Sequence, residues 1–92
     1  MDKHEEYRKT RAGFIEYAKE FYGQDGIYAE FFAQNRPTHA DFSAAYTDLL
    51  ALRRKQGIDF DGDSFDREVL RDLLFVRMGI LTPEQTEYRV EA

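Results

Sequence analysis

The segment Asp59-Phe60-Asp61-Gly62-Asp63-Ser64-Phe65-Asp66 sets carboxylates at alternate positions, the spacing with which a short loop can wrap one hard cation. An EF-hand loop counted from Asp59 finds acids at its first, third and fifth positions, as that geometry requires. Its sixth position is Ser64 where glycine makes the sharp turn, and its twelfth is Leu70 where a bidentate acid completes the coordination shell. Half the motif is present, so capping of the following helix accounts for these acids better than a cation does. A cation-binding structural module built on Asp59–Asp66 is kept as an alternative, and no metal ligand or cofactor is assigned.

The two histidines are the side chains that titrate near neutrality, and neither sits in a catalytic pattern. His4 lies close to the N-terminus. His39 has Ser43 one helical turn away, a spacing common by chance, and there is no G-x-S-x-G nucleophile elbow. Phosphate-binding G-x-x-x-x-G-K-[ST] and G-x-G-x-x-G loops are also missing, and with no cysteine there is no thiolate chemistry. The expectation is a protein that is not an enzyme.

Charge is distributed unevenly. The 92 residues carry 18 acidic and 13 basic side chains, a net charge of −5. Asp59, Asp61, Asp63, Asp66, Glu68 and Asp72, opposed within their segment by Arg67 and Arg71, supply four of those five negative charges. Such a segment repels nucleic acid and anionic membrane, and it can steer association with a basic surface. A recognition helix starting at Pro83 would carry Glu84, Glu87 and Glu91 against Arg89, so DNA reading by a helix-turn-helix is rejected there. Aromatic residues, eight Phe and six Tyr, fall mostly on helical stripes that read as core. Tyr28, Phe31 and Phe32 are the exception, because one short helix cannot bury Ile27 and all three on a single face. That surface is a candidate interface anchor, either for a partner or for self-association.

The elements that would position these groups read as helices. Residues Asp2 to Tyr22 carry Tyr7, Phe14, Ile15, Ala18, Phe21 and Tyr22 at helical spacing, with Asp2 as a cap and Gly23 as a stop. Gly13 inside this stretch costs about 1 kcal/mol relative to alanine, which suggests close approach of another element. A turn at Gln24-Asp25-Gly26 leads to a short helix over Ile27–Gln34, ended by Asn35-Arg36-Pro37. Thr38 and Asp41 form a capping box for a helix through Phe42, Ala45, Tyr46, Leu49, Leu50 and Leu52 to Gly57. Arg53, Arg54 and Lys55 fall in its last turn, where they complement the helix dipole. After the connector at 58–61 comes a helix capped by Asp61, Asp63 or Ser64, carrying Phe65, Val69, Leu70, Leu73, Leu74 and Val76, and closed by Gly79. Thr82-Pro83-Glu84-Gln85 signals one more helix start.

The sum is one all-α domain over residues 1–92, a compact bundle of three main helices and two short ones. No apolar run is long enough to span a bilayer, and Met1-Asp2-Lys3-His4-Glu5 is too polar for a signal peptide, so a cytoplasmic location is expected. The functional expectation is a small acidic protein-binding protein, an inhibitor or adaptor. It would cover a basic partner surface, including one that itself binds nucleic acid, as a nucleic-acid mimic does. Its size and charge also fit a phage- or mobile-element-encoded protein.

Overall fold

In the computed structural model, residues 3–24, 26–88 and 90 are described, with 3–5 and 26–28 described by their backbone alone. Among the described residues five α-helices run in order as α1 (Lys3–Arg8), α2 (Arg11–Gln24), α3 (Gly26–Asn35), α4 (His39–Gln56) and α5 (Ser64–Arg77). A 3-10 turn, Pro83–Gln85, follows, and there is no strand among the described residues. The all-α bundle of three main and two short helices is present, with α2, α4 and α5 as the long members. The second short helix, however, lies at the N-terminal end of the chain rather than the C-terminal end.

That difference begins at Thr10. Its hydroxyl donates to the Tyr7 carbonyl (2.6 Å) and accepts from the Gly13 amide (3.0 Å), which ends α1 and caps α2. The single helix expected over this stretch is therefore two, and α1 folds back onto the start of α2. A methyl group at Gly13 would lie 1.9 Å from the Tyr7 carbonyl oxygen, so glycine is required by contact between the two helices. Tyr7, placed by its spacing on the core stripe, is 48% exposed and donates to Glu16 instead. Gly23 is not a stop, because α2 continues through Gln24. Asp2 and Asp25, expected as a cap and a turn residue, lie outside the described residues.

The middle of the chain follows its capping signals. Thr38 and Asp41 form the reciprocal capping box of α4 (2.8 and 3.1 Å), and Gly57 closes that helix in the left-handed region. Asp63 is the cap of α5, accepting from the Asp66 amide at 2.9 Å. α4 and α5 pack along each other, and α2 packs against α1, α3 and α4. One apolar cluster joins Phe14, Ile15, Ala18 and Tyr22 of α2 to Phe42, Ala45, Tyr46 and Leu49 of α4. It continues to Val69, Leu70, Leu73 and Leu74 of α5 and to Val90. Phe65, expected on the core stripe of α5, is 44% exposed.

The start signal at Thr82 is used, the Thr82 amide donating to Gln85 Oε1 at 2.9 Å, but it opens a three-residue 3-10 turn and no α-helix follows among the described residues. Thr86 donates its hydroxyl to the Pro83 carbonyl (2.7 Å) and accepts from the Val90 amide (3.1 Å). The Tyr88 amide is taken by Asp72 at 3.0 Å. Side-chain partners thus replace the backbone bonds a helix would need, and the segment lies against α5.

Candidate functional site

The acidic segment divides into an inward and an outward set. Asp66 is 2% exposed and receives Arg53 Nε on Oδ1 at 2.6 Å. Its Oδ2 accepts the amides of Asp61 and Gly62, both at 3.1 Å. Gly62 has φ +68°, and a Cβ there would lie 2.6 Å from the Arg8 carbonyl oxygen, so the connector passes tightly under the end of α1. One buried carboxylate therefore fixes the backbone that carries Asp59, Asp61 and Asp63, whose side chains are exposed. No ion pair engages these three among the described residues.

Asp72 is equally buried. Oδ1 accepts from Arg71 Nε (3.1 Å) and Nη2 (3.0 Å), and Oδ2 accepts the Tyr88 amide. Glu68 is half-buried and accepts the Tyr88 hydroxyl at 2.7 Å, a bond that holds the phenol protonated and pushes its pKa from 10.0 up to about 12. The six acids grouped in the sequence are thus not one surface. Asp66 and Asp72 face inward, Glu68 is engaged by Tyr88, and Asp59, Asp61 and Asp63 remain available to solvent.

Two apolar side chains bracket the available acids. Ile58, 50% exposed, begins the connector with its amide on the Arg53 carbonyl (3.0 Å). The ring of Phe65 covers the Arg53 guanidinium at 4.7 Å. On the other side, Arg8, Lys9 and Tyr17 share a cleft of about 420 Å³ with Asp61, Asp63 and Ser64.

The aromatic candidates on α3 lie elsewhere. Phe32 stacks on Tyr22 (4.7 Å between centroids) and meets Phe42 and Phe75, and Phe31 packs on Phe75 at 4.8 Å. Both rings are half-buried between neighbouring helices, which is a packing role. The Tyr28 side chain lies outside those described. Ser43 accepts a hydrogen bond from Arg11 (2.9 Å), and its hydroxyl is not joined to His39 among the described contacts. Among the described residues no three His, Asp or Glu side chains converge to hold a metal ion. None of the described helices is long and apolar enough to cross a membrane.

Reading the sequence alone missed Arg53, Arg71 and Tyr88. Arg53 and Asp66 had a signal, since each falls on the apolar stripe of its own helix: Phe42, Ala45, Tyr46 and Leu49 lead to Arg53, and Asp66 leads to Val69, Leu70 and Leu73. Comparison with known proteins gives no match: no family model, no curated protein and no solved structure corresponds to the chain.

Proposed function

We propose that this chain is a non-catalytic protein-binding domain that meets a basic partner surface through Asp59, Asp61 and Asp63. The observation that carries this reading is the division of labour within the acidic segment: buried Asp66 fixes the connector, and three exposed carboxylates that form no ion pair among the described residues project from it. A contact surface whose backbone is already ordered loses less entropy on binding than a mobile loop would. Exposed carboxylates held together raise the encounter rate with a cationic surface, and the effect weakens as salt is added. Ile58 and Phe65 lie at the two ends of this strip and offer apolar contact area beside the charges. A partner that normally binds nucleic acid has a surface of the required sign, so blocking such a surface is the activity this arrangement suits best.

The test compares two variants of equal net charge. Asp59, Asp61 and Asp63 are changed to Asn in one, and the exposed Glu20, Glu30 and Glu84 to Gln in the other. Each is used as bait in a host lysate treated with nuclease, across a salt series. The expected result is a stoichiometric, salt-sensitive partner retained by the wild type and the glutamine variant and lost by the asparagine variant. Equal behaviour of the two variants, or no partner at low salt, overturns the reading.

A further inference from the structure

Seven successive residues of α5, Val69 through Phe75, are all buried. At 3.6 residues per turn, a run of that length passes around the whole helix, so the core alone cannot cover it. The second cover is the C-terminal segment, which runs along the row Phe65, Glu68 and Asp72. Tyr88 meets Phe65 edge-on at 5.0 Å, donates its hydroxyl to Glu68 and its amide to Asp72, and Glu87 pairs with Arg71 at 2.7 Å. We propose that the segment bearing Thr86, Glu87, Tyr88 and Val90 is a releasable strap, an intramolecular stand-in for a partner, whose opening bares Glu68 and Asp72 and extends the acidic face of the connector along α5.

Three features make this contact separable from the rest of the fold. Among its described residues the segment has no regular element after the 3-10 turn, and the Tyr88 amide is held by the Asp72 carboxylate and the Val90 amide by the Thr86 hydroxyl within the segment, not by a backbone ladder. Its apolar attachment to the core is the Val90 side chain, with Tyr88 half-buried beside it. Opening strands no charge, because Asp72 keeps both of its bonds from Arg71 while water replaces the Tyr88 amide. The bonds lost on Glu68, Asp72 and Phe65 are ones a partner could offer in exchange: a hydroxyl or cationic donor to Glu68, a donor to Asp72 and an aromatic ring against Phe65. The Glu87–Arg71 pair is lost as well, while Arg71 keeps its bonds to Asp72. Segments of this kind open locally at lower free energy than the core.

The opening stands on the contacts above, and its effect on binding rests on the proposed acidic contact. Amide hydrogen exchange on the full chain tests the opening. The Tyr88 and Val90 amides are expected to exchange at least about tenfold faster than those of Leu73 and Leu74. Val90→Ala should accelerate the first pair and leave the second unchanged. Tyr88→Phe, which removes only the bond to Glu68, serves the same purpose if Val90→Ala fails to fold. Exchange of all four amides at one rate overturns the strap. For binding, an arginine-rich peptide is titrated into wild type and Val90→Ala, with about threefold or more tighter binding to the variant expected once the strap's competition is reduced. Equal affinity overturns the inhibitory role. If neutralising Asp59, Asp61 and Asp63 leaves peptide affinity unchanged, the acidic-contact reading fails, and the exchange result is unaffected.

Discussion

Arg53 and Asp66 meet as a buried ion pair, Nε to Oδ1 at 2.6 Å, at the point where α4 turns into α5. Arg53 is further held by Gln56 Oε1 at 3.0 Å and by the ring of Phe65, and Asp66 by the two connector amides. The pair does two jobs at once. It neutralises two charges that fall on apolar stripes, and it sets the path of the loop from which the exposed acids project.

Neutralising acids within this segment should therefore have opposite consequences depending on which are changed. Asp66→Ala strands the Arg53 guanidinium and two amides, and a loss of about 3–5 kcal/mol in denaturant unfolding is expected. Asp59→Asn, at an exposed position, should stay within about 0.5 kcal/mol of wild type. Similar losses for both would contradict the inward and outward division.

Gly13→Ala tests the contact between α1 and α2. Helix propensity alone favours alanine by about 1 kcal/mol. The new methyl group, however, would collide with the Tyr7 carbonyl, and forced displacement typically costs about 1–3 kcal/mol. Net destabilisation with loss of protection in α1 is expected, whereas a stabilised variant would mean that α1 does not pack here.

Tyr88 gives the fold an alkaline signature. Its pKa is raised to about 12, first by the hydrogen bond to Glu68 and then by burial and nearby carboxylates. The unfolded chain loses this proton near pH 10.0, before the folded one does, so the contribution to stability is complete below that pH. It is lost as pH rises through about 12. The stability difference between wild type and Tyr88→Phe should narrow over that interval in chemical denaturation, and Tyr7 and Tyr46, whose pKa values are also raised, cancel in the difference. A constant difference would mean that the Tyr88–Glu68 bond does not form.

The helices were legible where local chemistry decides them. Thr38 with Asp41, Gly57 and Gly79 mark helix ends without help from the rest of the molecule, and the apolar stripes of α4 and α5 identify most of the core. What escaped depends on tertiary partners. The break at Thr10 needs the α1–α2 contact to favour it, and the segment after Gln85 forgoes helical bonds because Asp72 and Thr86 supply alternatives. For the acids, a count along the chain gives their density but not their direction, so Asp66 and Asp72 read as surface groups. The positions of Arg53 and Asp66 on facing apolar stripes were the available sign that the segment pairs internally.

The central claim, that residues 58–65, the connector and the first residues of α5, are a contact surface for basic partners, is tested most directly by following the backbone amide resonances during titration with an arginine-rich peptide. The account expects salt-sensitive shifts concentrated between Ile58 and Phe65, abolished when Asp59, Asp61 and Asp63 are changed to Asn and retained when Glu20, Glu30 and Glu84 are changed to Gln. Shifts centred on α2 around Glu16 and Glu20, or spread evenly over the exposed acids, would contradict it.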